Sequence, residues 1–396
     1  MRRLSIVHVI NNLEIGGAER VLCALVGQLD PRATRTSIIS LVDGGPLKSV
    51  LIDEGVDVHS LGMSPRLPSP GAVVQLAKQL ARRQPALVVT WLNHSNLIGG
   101  LAARMLGGIP VVWNVRQSTL QASTPSRKTR LVARCTARLS RRLPSHTVFV
   151  GHVARRNHIE AGYDRRHCSV IYNGFNDTIF RPNPSARLDV RRELGVARDV
   201  PLVGLFGRFC ADKDHENFAR AAAAIHRRLP HVRFLLCGSG VTQDNPQLAH
   251  WLHEQQIAEY CHLLGPRSDI PRLTASLDVQ VSSSLSEALP NVIGEAMACG
   301  VPCAVTDVGD SARLVGDTGR VVPPGDAAAL AQACVDLLDQ PSDARQWLRS
   351  RCRRHILEHF SFDRMVSQHF ELWGDLCGRT IHRRPATEPV RERQAA

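Results

Sequence analysis

The sequence predicts an α/β protein built of two doubly wound units, and three observations carry that expectation. Short β-like runs alternate with helical patterns, the alternation breaks in a loop rich in Pro, Asn and Arg over 173–184 and then restarts, and 396 residues are too many for one ordinary core. The predicted domains are 1–178 and 179–360, followed by a helix over 361–378 and a tail over 379–396. In the first domain the pattern reads as a strand at 4–10, a helix opened by Gly16 and Gly17, strands at 36–41 and 56–61, and a helix at 71–83. A strand at 87–91, a helix at 96–106 and a strand at 110–115 follow. Such alternation signals parallel strands joined by crossover helices. The second domain restarts with a strand at 201–206, a helix near Phe218 and a strand at 233–237, with further pairs to Val322. In sheets of this kind ligands bind outside the carboxyl ends of the strands, so the site is expected in a cleft that the two domains face. Residues 361–377 put Phe362, Met365, Val366, Phe370, Leu372 and Trp373 on an amphipathic helix, whereas 379–396 have almost no apolar content and are expected to be disordered.

Composition narrows the function classes. No stretch approaches the roughly 18 apolar residues of a spanning helix, so a soluble or peripheral protein is expected. The opening M-R-R-L-S-I-V-H-V-I holds His8 and runs into Asn11 and Asn12, which reads as a buried strand rather than a signal peptide. Eleven cysteines without a C-x-x-C are expected to be reduced thiols in the cytoplasm, and no cysteine and histidine positions cluster as ligands, so no metal is expected. The net charge of +13 is lopsided: up to Thr178 there are 23 Lys plus Arg against 10 Asp plus Glu, and from Ile179 onward 26 of each. A basic domain beside a neutral one points to an anionic lipid surface or acceptor rather than to nucleic acid. Segment 126–143 concentrates the charge, with Arg130, Arg134, Arg138 and Arg141 along one helical side and Leu131, Cys135 and Leu139 along another. It reads either as a membrane-surface helix or as a packed helix with a solvated arginine face.

Between Ser284 and Asp310 the chain reads S-L-S-E-A-L-P-N-V-I-G-E-A-M-A-C-G-V-P-C-A-V-T-D-V-G-D, with Glu287 and Glu295 eight positions apart. Eight helical residues advance about 12 Å and sweep about 800°, so the two carboxylates share a face only if a helix begins between them. Pro290 and Asn291 supply that start, and Val292, Ile293, Ala296 and Met297 the apolar period after it. Glu287 then lies on the preceding loop and Glu295 on the second turn. A helix N-terminus beside two carboxylates can take a phosphate and several sugar hydroxyls together, which is the shape of a nucleotide-sugar site.

The segment resembles the signature of glycosyltransferase family 4, the retaining group 1 enzymes of the GT-B fold, which carry Glu, seven residues, then Glu. Typical wording of that family recurs in order: G-G-A-E (Gly16, Gly17, Ala18, Glu19), N-G-F (Asn173, Gly174, Phe175), G-R followed by K (Gly207, Arg208, Lys213), C-G-S-G from Cys237, L-G-P-R-S-D-I-P from Leu264, and the run from Thr306 to Asp326. The resemblance implies a final helix crossing back to the first domain and retaining transfer of a hexose or hexose derivative from a nucleotide-diphosphate sugar, without catalytic metal or other cofactor. It also implies that Arg208 and Lys213 take the diphosphate, that Glu295 takes the ribose and Glu287 the transferred sugar, that Asn291 stands at the helix start beside the donor, and that Gly16 and Gly17 offer backbone N–H groups to a phosphate. W-L-N-H-S-N-L-I-G-G-L-A-A-R, from Trp91, is similar to transferases of bacterial exopolysaccharide, capsule or lipopolysaccharide assembly, which implies a lipid-linked or oligosaccharide acceptor and a place at the inner face of the cytoplasmic membrane. One departure stands out. After V-V-W-N-V, where many relatives place a histidine, this chain has Arg116 and Gln117. Arg116 cannot serve as a base but can donate forked hydrogen bonds, and His94, at the end of another strand, is a second catalytic candidate. A nucleotide-sugar 2-epimerase on the same fold and a non-catalytic glycan-binding subunit are the alternatives.

Overall fold

The computed structural model describes residues 3–63, 70–118 and 127–385. Two compact units divide the chain: the first runs to Tyr172 and resumes at Met365, and the second is Asn173–Arg364. The expected boundary at 178 thus lies inside the second unit, because the residues just before it are built into that unit. Phe175 N–H donates to the Phe360 carbonyl at 2.9 Å, Phe362 N–H donates to the Phe175 carbonyl at 3.2 Å, and Asn173 Nδ2 donates to Asn291 Oδ1 at 2.7 Å.

The first unit holds seven parallel strands, β1 (Leu4–Ile10), β2 (Thr34–Ser40), β3 (Asp57–Ser60), β4 (Leu87–Trp91), β5 (Val111–Val115), β6 (His146–Phe149) and β7 (Cys168–Val170), in the order β3-β2-β1-β4-β5-β6-β7. Its connecting helices are α1 (Gly17–Gly27), α2 (Leu47–Asp53), α3 (Pro70–Arg83), α4 (Asn93–Met105), α5 (Arg127–Leu139) and α6 (His152–Glu160). Every residue of β4 and β5 is buried, as expected of strands covered by helices on both faces. Val7, Val9, Val88 and Trp113 pack with Leu76 and Leu80 of α3 and with Ile98 and Ala102 of α4.

The second unit opens with α7 (Pro184–Glu193) and has six parallel strands, β8 (Leu202–Phe206), β9 (Arg233–Cys237), β10 (Cys261–Leu263), β11 (Val279–Ser282), β12 (Cys303–Thr306) and β13 (Arg320–Val322). Their order is β10-β9-β8-β11-β12-β13. Between and after them run α8 (His215–Arg228), α9 (Pro246–Glu254), α10 (Ile270–Ala275), α11 (Asn291–Ala298), α12 (Ser311–Val315), α13 (Ala327–Leu338) and α14 (Ser342–His359).

Three local expectations need correction. Helix α4 starts at Asn93 rather than 96, since Asn11 Oδ1 accepts from both the N–H and the hydroxyl of Ser95, at 3.1 and 2.7 Å, and fixes the first turn early. On α5 the buried side is Ala133, Thr136 and Ala137, with Ser140 just beyond the helix, and Cys135 is exposed with Arg134 and Arg138; Leu139 is half-buried, and the side chains of Arg130 and Leu131 lie outside the described residues. The tail is ordered at its start: Ile381 is buried, Arg383 bridges antiparallel to Leu29, and Arg384 N–H donates to the Gln28 carbonyl at 2.8 Å. One anchored isoleucine and paired backbone suffice there, where composition read only low apolar content; 386–396 lie outside the described residues.

Helix α15 (Phe362–Cys377) belongs to the first unit from Met365 onward. Trp373 lies edge-on to His8 at 5.4 Å between ring centroids, and His369 stacks parallel to Trp91 at 6.5 Å. Trp91 Nε1 donates to His8 Nδ1 at 3.3 Å, and His369 Nδ1 bonds the Met365 carbonyl at 2.9 Å. Burial pushes both imidazoles down to about 3, with the Arg116 charge adding to the effect on His369, so both are neutral in the fold. Unfolded imidazoles titrate near 6.5, so between about pH 6.5 and 3 the unfolded chain binds more protons and stability falls as pH falls. The expected loss approaches about 1.4 kcal/mol per pH unit for each histidine inside that window. Urea unfolding from pH 7 to pH 4 should show a shallower decline in His369→Gln by about one proton. An identical slope in that variant would place the acid sensitivity elsewhere.

Candidate active site

The second sheet begins in its middle. The chain enters at β8, moves outward through β9 and β10, and returns to β11 on the other side of β8. The loops leaving β8 and β11 therefore diverge, and a crevice opens at the carboxyl ends of those two strands. Gly207 and Arg208 follow β8, and a 3₁₀ turn, Ala211–Lys213, carries the chain to α8. The β11 loop is tied to this turn by the Ser283 hydroxyl, which donates to the Lys213 carbonyl at 2.8 Å, and by the Leu285 N–H, which donates to the Asp212 carbonyl at 2.8 Å. Lys213 Nζ consequently meets Glu287 Oε1 in an ion pair, and the same carboxylate oxygen accepts from the Ser284 hydroxyl at 2.8 Å. The two side chains keep 23% and 13% of their surface open, which leaves the pair reachable, and Arg208 on the same loop is exposed.

Helix α11 starts at Asn291 behind Pro290, which has no side-chain acceptor for the first-turn N–H groups. Glu295 lies half-buried on its second turn. A Cβ added at Gly294 would come within 2.1 Å of Phe175 Cζ, so the phenyl ring lies directly on the helix backbone. Together with the Asn173 to Asn291 bond, this explains the N-G-F triplet: it positions α11 from the side, a role that spacing within 284–310 alone did not reveal. A third loop, after β12, closes the arrangement. Thr306 donates to the Ser284 carbonyl at 2.6 Å, Asp310 N–H donates to the Ala288 carbonyl at 3.1 Å, and Gly309, at φ +57°, passes so close that a Cβ would sit 2.2 Å from the Glu287 carbonyl oxygen.

The other candidates lie in the first unit, at strand ends around the point where β1 and β4 part. His94 is exposed on the first turn of α4, and partial desolvation lowers its pKa. Leu92, between β4 and α4, has φ 72° and ψ 160°, a region that side-chain-bearing residues rarely enter. The Arg116 guanidinium, after β5, is 5.0 Å from the Trp91 ring centroid, and burial brings its pKa down to about 9, so it remains a cation at neutral pH. Gly16 caps α1 in an extended conformation and Gly17 is its first residue. The Glu19 carboxylate folds back over Gly16, where a Cβ would lie 2.3 Å from Oε2. This helix N-terminus already holds a buried carboxylate, whose pKa burial raises, at the turn where a donor phosphate was expected. Glu three residues after the cap is the spacing of a capping box, the signal that could have identified it. Among the described residues, no three His, Cys, Asp or Glu side chains gather as metal ligands.

Residues 15–178 match the family model described as Glycosyltransferase Family 4, and 200–340 the one described as Glycosyl transferases group 1. The chain belongs to this glycosyltransferase family. The family-4 enzyme is 26% identical over 318 residues to UDP-Gal:alpha-D-GlcNAc-diphosphoundecaprenol alpha-1,3-galactosyltransferase of Escherichia coli, covering 77% of this chain and 79% of that one. To alpha-maltose-1-phosphate synthase of Mycolicibacterium smegmatis it is 31% identical over 230 residues, 53% of this chain and 57% of the relative. Its fold matches Anabaena HepE in complex with UDP and glucose with a TM-score of 0.81 at 24% identity, over 93% of this chain and 99% of that one. It matches WaaG, a glycosyltransferase involved in lipopolysaccharide biosynthesis, with a TM-score of 0.73 at 14% identity, over 94% and 100%. The two parallel sheets are those of the GT-B fold.

The contact of Phe175 with α11 gives a direct expectation. Gly294→Ala should cost about 1–3 kcal/mol of stability through overpacking and displace Asn291 and Glu295 with the helix. Chemical denaturation is the measurement, and wild-type stability in this variant would show that the ring does not set the helix.

Proposed function

We propose that this enzyme moves a hexose or hexose derivative, with retention, from a nucleotide-diphosphate sugar to a lipid-linked glycan in the assembly of a bacterial surface polysaccharide. The observation that carries the donor half is the Lys213 and Glu287 pair in the crevice between the ends of β8 and β11. A diphosphate entering there competes for Lys213 and frees Glu287 to accept from sugar hydroxyls. Arg208 adds a second cation, and charge-assisted bonds of this kind contribute about 1.5–3 kcal/mol each. As the bond from the anomeric carbon to phosphate lengthens, negative charge grows on the leaving diphosphate, and both cations favour that state over the ground state. Glu295 accepts from vicinal ribose hydroxyls. With Glu287 held by Ser284 and occupied by the sugar hydroxyls, attack proceeds from the leaving-group face, and a diphosphate oxygen takes the acceptor proton as the old bond breaks. Arg208, Lys213 and the N–H groups of α11 supply the charge that a metal supplies in other transferases, so the proposed reaction uses none.

The acceptor half rests on the E. coli relative, whose name specifies a diphosphoundecaprenol-linked sugar, and on the basic first half of the chain. Described residues form no helix long and apolar enough to cross a membrane, so contact with the lipid would be peripheral, with Arg134 and Arg138 exposed on α5.

Purified protein given UDP-sugars and a lipid-diphosphate-linked glycan should yield a product one sugar heavier by mass spectrometry, with the donor's anomeric configuration by NMR. An isomerised nucleotide sugar without transfer would make it a 2-epimerase, and no turnover of any donor a binding subunit. Arg208→Ala or Lys213→Ala should weaken nucleoside-diphosphate binding about tenfold or more by calorimetry. Glu295→Gln should reduce nucleotide affinity while Glu287→Gln depresses turnover; loss of affinity alone in both would sink that division of roles. Arg116→Ala should slow transfer by about 2–3 kcal/mol, near a hundredfold, while the wild type shows no titration of this group between about pH 6 and 8. Full activity in a folded Arg116→Ala would leave Arg116 the structural partner of Trp91 alone.

A further inference from the structure

At the amino ends of the first sheet, four arginines converge on an open cavity of about 460 Å³. Arg3 precedes β1, Arg35 is the second residue of β2, Arg83 ends α3, and Arg379 follows α15, so four segments distant in sequence each bring one arginine to the lining. Strand β1 is 7 residues long, which puts this cavity about 20 Å along the strands from the loops bearing Gly16 and His94. The transfer chemistry does not use it.

Part of the clustering has a structural purpose. Arg35 Nη2 donates to the Arg83 carbonyl at 3.1 Å, at the end of α3 where the helix dipole favours a cation. Arg3 Nη1 donates to the Pro31 carbonyl at 3.3 Å, and Arg83 pairs with Asp57 through Nε at 3.1 Å and bonds Gln79. These contacts do not exhaust the donors. A guanidinium carries five N–H groups in a planar fork, and the carbonyl bonds of Arg3 and Arg35 each use one nitrogen of theirs. The fork matches two oxygens of a phosphate at once, which ammonium groups do not. The cavity has room for about fifteen waters at roughly 30 Å³ each, more than a lone orthophosphate fills.

We propose that this four-arginine cavity is a second anion site, taking a diphosphate or a substituted phosphate through the forks of Arg3 and Arg35, with Arg379 adding charge at the lining and Arg83 held at its wall by Asp57. The same chemistry is offered by free pyrophosphate and by the headgroup of phosphatidic acid. The proposal does not depend on the transfer reading, and its test keeps the two apart. Inorganic pyrophosphate is titrated by calorimetry into protein carrying Arg208→Ala and Lys213→Ala, which removes the donor crevice from the signal, and into the same protein with Arg35→Ala and Arg379→Ala added. A second arm floats the unaltered full chain and its Arg35→Ala, Arg379→Ala variant with phosphatidylcholine vesicles, with and without phosphatidic acid. The expected result is at least a tenfold loss on removing the two arginines, in a variant whose melting curve shows it folded. Loss in calorimetry alone supports the site with a free anion as its ligand, and loss of flotation on phosphatidic acid supports it with a lipid headgroup. Should the paired alanines not fold, Arg3→Ala at the exposed residue before β1 replaces them, with at least a threefold loss expected. Neither probe binding the protein with all four arginines, or equal binding with and without them, overturns the proposal.

Discussion

Two hydrogen bonds, from the Ser283 hydroxyl to the Lys213 carbonyl and from the Leu285 N–H to the Asp212 carbonyl, hold together loops that topology drives apart. Where a parallel sheet reverses its winding, the loops after the two central strands leave in opposite directions, and no shared helix joins them. Without the tie, Lys213 and Glu287 would sit on separate flexible connections, and a partly exposed ion pair contributes too little to align them. With the tie, backbone fixes backbone, and the side chains meet because their Cα atoms are already placed. The individual bonds are worth only about 0.5–1.5 kcal/mol each, so their importance here is positional rather than energetic.

The same logic governs the elements around the crevice. Gly309 passes the Glu287 carbonyl at a distance that excludes a side chain, and Gly294 gives its helix surface to the Phe175 ring. Each glycine trades local stiffness for a close approach of two segments that must not move relative to one another. The Thr306 hydroxyl, bonding the Ser284 carbonyl, does the equivalent work from β12 without such an approach. The carboxyl end of the second sheet is therefore a set of loops locked to their neighbours, and Arg208 is left exposed on the first of them.

What the sequence disclosed follows from which forces are local. Strands such as β1, β4 and β9 were legible to the residue because burial on both faces leaves continuous apolar runs bounded by polar turns. The α11 start was legible because proline and the apolar period after it act within one turn. The start of α4 was not, since the acceptor that fixes Ser95 comes from Asn11, far away in sequence. Nor was the environment of Arg116, whose partner Trp91 lies on the neighbouring strand, or that of His8 and His369, which meet Trp91 and Trp373 only once the last helix returns to the first sheet. Ile381 shows the opposite error, in which low apolar content over a segment hid a single residue sufficient to anchor it.

The first sheet meets the same topological problem between β1 and β4 and solves it by strain. Leu92 adopts φ 72° and ψ 160°, a conformation that costs about 1–3 kcal/mol for a residue with a side chain. It persists because its neighbours determine it from both sides: its N–H donates across to the Asn114 carbonyl at 3.1 Å, and its carbonyl accepts from Asn96 N–H at 2.9 Å. Asn96 is itself fixed between Thr90, whose hydroxyl donates to Oδ1 at 2.7 Å, and the Asn114 carbonyl, to which Nδ2 donates at 3.2 Å. The chain can then pass from β4 into α4 without a loop, which brings His94 onto the first helical turn at the parting of β1 and β4 rather than onto a flexible connection. A glycine at 92 would relieve the strain but leave that turn free to choose among conformations. The buried Thr90 and Asn96 side chains and the Asn114 carbonyl thus serve chiefly to hold Leu92 where it would not otherwise stay, and the exposed position of His94 is the consequence.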